Sequence, residues 1–105
     1  MTKDDTFFGS AISAARKAKN WSLKNLAAQV LRGDGEGPIS SQYLNDIEYG
    51  RRNPSSDWMV KQLAEALDLD TDWLYYLTGW LPKDIRDKKL TYNNVKTLMA
   101  ALRKN

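Results

Sequence analysis

The chain has no cysteine and no histidine. Without thiols there is no disulfide framework, no thiolate zinc site and no cysteine nucleophile; without imidazole the commonest metal ligand and general base is missing. Long apolar runs are absent as well, and the opening stretch MTKDDTFFGS has neither a positive n-region nor an apolar h-region. Neither a membrane span nor a secretory leader is therefore expected. The carboxylates form no catalytic constellation, and Asp70 and Asp72 are better explained as negative charge at a helix N-terminus. Together these absences predict a cytoplasmic protein that is not an enzyme and takes no cofactor and no metal.

What is present is 105 residues, 42% of them apolar, enough for one compact domain with a modest core. The net charge of +3 hides an uneven distribution. Between Phe7 and Gly33 lie five basic residues (Arg16, Lys17, Lys19, Lys24, Arg32) and no acid, whereas Pro54 to Trp73 carries five acids (Asp57, Glu65, Asp68, Asp70, Asp72) against Lys61. From Lys83 to Lys104 seven basic residues face two acidic ones. Most charge runs are solvated faces, but two cationic flanks suit a polyanion.

No segment alternates apolar and polar residues for long, while helical spacing recurs throughout, so the fold class is all-α. A first helix is predicted over about Phe7 to Lys19. Ser22 caps a second, SLKNLAAQVLR, and GDGEGP, with three glycines and a proline in six residues, follows as a loop. Ser40 caps a short third helix with Tyr43, Leu44 and Ile47 on its inner stripe, and Gly50 ends it. Pro54 with Ser55 or Ser56 opens a fourth, in which Trp58, Met59, Leu63, Ala66 and Leu67 are apolar. Thr71 caps a fifth, TDWLYYL, which stops at Gly79. After a polar connection from Leu81-Pro82, Asn93 or Asn94 opens a last helix with Val95, Leu98, Met99 and Leu102 at helical spacing.

The third helix carries the chemistry. Two short helices joined by a turn, the second with an outward polar face, fit the major groove of DNA. Ser41, Gln42, Asn45 and Asp46 face away from the core, and a glutamine amide both donates to and accepts from adenine. Arg51, Arg52 and Asn53 follow the helix end, where cations and amides hold phosphates and fix register.

The stretches ARKAKNWSLKNLA, ISSQYLNDIEYGRRNPS and LAEALDLDTDWL together resemble the phage-repressor and Cro type of helix-turn-helix, the xenobiotic-response-element family, over about Phe7 to Trp80. The pattern I-S-x-x-Y-L-x-x-I-E-x-G-x-R-x-P is matched from Ile39 to Pro54. The resemblance implies a five-helix lambda-repressor-like domain over 1–81 and a role as a transcriptional regulator, commonly a dimeric repressor on a palindromic double-stranded DNA operator. It implies that Ser41, Gln42 and Asp46 face bases with Tyr43 and Asn45 flanking them. Lys24, Asn25, Ser40, Arg51, Arg52 and Asn53 would meet phosphates. It further implies a partly buried ion pair between Arg16 and Glu48, which makes Glu48 a scaffold residue.

The departures are equally specific. The junction between the second and third helices, 32–38, is several residues longer than the family's tight turn. An acidic loop there should point away from phosphates unless Arg32 reaches them from its base, so the expectation is a tolerated surface insertion. DGEG lacks the remaining ligand positions of a calcium loop. Leu23 stands where the family often has a DNA-contacting glutamine, leaving phosphate binding there to Lys24, Asn25 or helix N–H groups. For residues 82–105 the expectation is a connection and a helix whose Val95, Leu98, Met99 and Leu102 either pack back on the domain or, the favoured reading, pair with a second copy across a two-fold axis. The cluster Trp73, Tyr75, Tyr76 and Trp80 is core in part, with some faces left for an interface. A second reading is an antitoxin or other interaction module that holds a toxin or similar partner and regulates its own operon. Without an effector domain, relief by a protease or partner protein is expected ahead of a small-molecule inducer.

Overall fold

Most helices begin where a short polar side chain takes up a backbone N–H that has no partner in the helix. The computed structural model describes residues 7–33 and 35–104. Most of the opening stretch on which the leader reading rests, and Asp34 of the DGEG loop, lie outside the described residues.

α1 (Phe8–Ala18) starts with the Ser10 hydroxyl bonded to both the N–H and the carbonyl of Phe7. α2 (Leu23–Ala27) opens on a reciprocal cap: Ser22 Oγ accepts from Asn25 N and Asn25 Oδ1 accepts from Ser22 N, each at 3.0 Å. This helix ends well short of Arg32. The backbone of residues 30–32 finds partners across the glycine loop instead: Ile39 N donates to Val30 O and Arg32 N to Gly37 O, both at 2.8 Å. Leu31 and Pro38 form an antiparallel bridge, and the Gln62 side chain takes both the N–H and the C=O of Leu31 at 2.8 Å. The two ends of the insertion are thus paired and its base is fastened. Its Gly35 and Gly37 sit at φ +75° and +132°, where a side chain is strained.

α3 (Ser41–Glu48) is capped by Ser40, whose Oγ accepts from Tyr43 N at 3.0 Å, and the chain leaves it through Gly50 at φ +79°. α4 (Asp57–Leu67) is capped by Ser56 rather than Ser55. Its buried face is Met59, Val60, Leu63, Ala64 and Leu67, while Trp58, counted among its apolar residues, is 47% exposed. α5 (Thr71–Thr78) corrects the cap assignment: Asp70 Oδ1, not Thr71, accepts from Trp73 N at 2.9 Å, with Asp72 in the first turn. The connection after it holds a short helix the sequence did not announce, α6 (Lys83–Arg86), tied by Arg86 Nε to the Leu81 carbonyl and by Arg86 Nη2 to Asp57. α7 (Tyr92–Arg103) begins one residue after Thr91, which caps it reciprocally with Asn94; Asn93 and Asn94 are already inside.

The core is built from α1 to α5 and from the two ends of the insertion. Ile12, Leu26, Val30, Leu44, Ile47, Leu63 and Leu74 are among its fully buried members. Among the described residues no buried polar side-chain atom lacks a hydrogen bond. α7 contributes nothing to this core, as none of its residues is buried.

Candidate nucleic-acid interface

α3 is held from beneath by one ion pair. Arg16 Nε meets Glu48 Oε2 at 2.7 Å and Nη2 meets Oε1 at 2.9 Å, a two-pronged contact that fits the planar guanidinium, and Nη1 bonds the Trp21 carbonyl at 2.8 Å. The side chains are 11% and 5% exposed, so both charges are largely withdrawn from solvent. The Glu48 hydrogen bond holds the Arg16 pKa above its ordinary value, ahead of the opposing effect of burial. The pair joins α1 to the end of α3 and thereby fixes how α3 lies on the domain.

With Leu44, Ile47 and Glu48 turned inward, Ser41 and Gln42 are exposed on the outer face, and Tyr43, Asn45 and Asp46 are half-buried along it. Asp46 organises this face. Its Oδ1 accepts from Gln42 Nε2 at 3.1 Å and from Arg51 Nε at 3.0 Å, and its Oδ2 lies 3.8 Å from Arg52 Nε. The two guanidiniums also rest on rings: Arg51 is 5.1 Å from the centroid of Tyr49 and Arg52 is 5.8 Å from that of Tyr43. Asp46 therefore orients the glutamine amide and both arginines, a role its position in the sequence did not disclose. Asn45 lies on the other flank of α3, lining a hollow of about 200 Å³ together with Lys17 and Leu23.

The remaining predicted contacts fall around this helix. Lys24 and Asn25 are exposed at the start of α2, although the carboxamide oxygen of Asn25 is committed to the Ser22 N–H. Ser40 is exposed with its hydroxyl engaged at the α3 cap, and Arg51, Arg52 and Asn53 are exposed in the loop behind it. Val95, Leu98, Met99 and Leu102 are 39, 41, 40 and 63% exposed, far from typical of core residues. Two contributors escaped the sequence reading altogether: Gln62, which fastens the insertion, and Gly9, which lets α1 approach α3. The α4 register could have drawn notice to Gln62 as a polar residue beside buried Leu63; nothing local marks Gly9.

The helix-turn-helix family profile matches residues 12–74, which includes α2, α3 and both members of the Arg16–Glu48 pair. The chain belongs to the helix-turn-helix family of the xenobiotic-response-element type. Two similar relatives, both named uncharacterized HTH-type transcriptional regulators and from two strains of Mycobacterium tuberculosis, are 31% identical over 87 residues. The alignment covers 79% of this chain and 56% of theirs, so the chain spans about half the length of the curated relatives it matches. No solved structure gives a significant match. In this helix-turn-helix protein the all-helical, lambda-repressor-like architecture expected from sequence is present, extended by α6 and α7. No helix among the described residues is long and apolar enough to cross a membrane.

Proposed function

We propose that this chain is a cytoplasmic, sequence-specific double-stranded DNA-binding regulator of transcription, acting as a dimeric repressor. The observation that carries the reading is the outer face of α3, where an exposed Gln42 amide is held by Asp46 and bracketed by Arg51 and Arg52. A preorganised amide reads an adenine edge, while the arginines hold the flanking phosphates. Asp46 then acts chiefly by positioning Gln42, with Ser41 beside it at the bases. The relatives' names as transcriptional regulators support the same reading. The exposed apolar stripe of α7 supports a dimer, in which two α3 helices enter successive major grooves about 34 to 36 Å apart on an inverted repeat.

The test is selection of bound sites from a random duplex pool, with the expected outcome an inverted repeat whose half-sites lie one helical turn apart. Gln42→Ala should then cost about 1 to 3 kcal/mol and relax preference at one base step, whereas Arg51→Ala should weaken all sequences alike. A protein that recovers no sequence and ignores every duplex at low salt would falsify the proposal.

A second reading, an antitoxin or similar module that holds a protein partner, is favoured by one feature. Trp73 and Tyr76 stack at 5.4 Å between ring centroids on α5 and remain 40% and 70% exposed. Aromatics of this kind anchor interfaces. Co-expression with the product of the neighbouring gene distinguishes the two: a stable complex lost on Trp73→Ala, with no selected DNA site, would select this reading over the first.

A further inference from the structure

The insertion between α2 and α3 does more than pass over the surface. It forms one wall of a cleft of about 490 Å³ whose other walls are the α3 cap, the loop after α3 and the start of α4. Arg32 comes from the insertion and Arg52 from the loop after α3, so two guanidiniums line one hollow, and Ser40 and Ser55 add hydroxyls. Among the described lining residues none is acidic. The floor includes the half-buried Tyr43 ring, with buried Ile39 and Met59 beside it. Each guanidinium has a carboxylate near it, Glu36 for Arg32 and Asp46 for Arg52, and guanidinium forks match the oxygens of a phosphate.

We propose that this cleft seats one phosphodiester strand of the duplex that α3 reads, and that Arg32 is a phosphate contact supplied by the insertion. The inference rests on the DNA-binding reading of α3 and adds a residue to it. The wall is well placed for the task because its base is fastened: Gln62 holds both backbone groups of Leu31, the residue before Arg32, at 2.8 Å. Arg32 Nη2 lies 3.9 Å from Glu36 Oε2, with the two side chains 50% and 79% exposed. A solvent-exposed pair of that kind contributes little to stability.

The experiment measures affinity for a labelled mixed-sequence duplex across a salt series, using the full chain, Arg32→Ala, Arg32→Lys and Lys61→Ala. Arg32→Ala is expected to flatten the slope of log K against log salt by about 0.9, the share of one phosphate contact, equally on all sequences. Arg32→Lys and Lys61→Ala, the latter on the outer face of α4, should keep the slope of the parent. Thermal melts of all four proteins establish that the fold is intact. A parent-like slope for folded Arg32→Ala overturns the cleft proposal and leaves the function of α3 standing; failure of the parent itself to bind any duplex removes both. Melts in inorganic phosphate and in chloride at matched ionic strength separate the two sources of the anion. Stabilisation of the parent by phosphate that is lost in Arg32→Ala, together with an unchanged salt slope, would assign the cleft to a free phosphate and overturn the strand.

Discussion

Gly9 stands where α1 crosses the end of α3, and a Cβ built there would lie 2.2 Å from the Ile47 carbonyl oxygen and 2.6 Å from that of Glu48. Both are backbone atoms, so relief requires shifting the end of α3, the same segment that Arg16 grips through Glu48. Gly9→Ala is therefore expected to cost about 3 kcal/mol, the upper end of ordinary overpacking, visible as a lowered melting temperature. A parent-like melt would show that the two helices can separate freely. Tyr75 gives a prediction in pH. The side chain is 5% exposed and its hydroxyl donates to Asp57 Oδ1 at 2.7 Å. Burial first, and then that hydrogen bond, push the phenol from 10.0 up to about 12. Because the folded value is the higher one, this contribution is whole below pH 10 and is lost as pH rises from 10 through about 12. Tyr75→Phe should be less stable than the parent by about 1 kcal/mol at neutral pH, through the lost hydrogen bond. In urea unfolding that gap should close and then reverse between pH 10 and 12; a constant gap would separate the phenol from folding.

At the scale of elements, the insertion shows how a glycine-rich junction acquires a defined shape. Its base depends on one side chain from α4, and replacing it by Gln62→Leu removes both hydrogen bonds to Leu31 while keeping most of the volume. The expected loss is about 1 to 2 kcal/mol, with faster amide exchange at Leu31 and Arg32 and unchanged exchange within α1. The same element marks the boundary of what could be read in advance. α3 was legible because its cap, its inward spacing and its glycine stop are all local signals within a dozen residues. The length of α2 was not, since Val30 to Arg32 leave the helix for partners at residues 37, 39 and 62. Asp70 and Thr71 are adjacent residues that can each cap a helix, and the meeting of Asp70 Oδ1 with Trp73 N decides between them. α6 is four residues fastened by Arg86 to Asp57, a contact that sequence spacing does not reveal. Within the candidate site the outward placement of Ser41 and Gln42 on α3 was legible, and the contacts of Asp46 were not, because they depend on Gln42 and Arg51 converging on one carboxylate.

For the whole molecule, the feature to explain is its extension. A compact chain of this length has a radius of gyration of about 13 Å, whereas the observed value is 15.3 Å over extents of 45 × 34 × 23 Å. α7, with no buried residue and a stripe of Val95, Leu98, Met99 and Leu102 left open, contributes to that excess. A reciprocal cap at Thr91 and the Lys96 ammonium over the Tyr92 ring, 5.7 Å from its centroid, support the helix without burying it. Such an amphipathic helix gains most of its stability on packing, and in the proposed dimer a second copy related by a two-fold axis would offer the matching stripe. Leu98→Glu places a charge at the middle of that stripe and disturbs nothing in the core of α1 to α5. The variant should sediment as a monomer with a parent-like melt of the helix-turn-helix domain. Its affinity for a single half-site should be unchanged, while affinity for the full inverted repeat should fall by about 10² to 10⁴, the advantage that linking two readers confers. If Leu98→Glu stays dimeric and keeps that advantage, the copies meet elsewhere, and the exposed Trp73 and Tyr76 face of α5 becomes the surface to break.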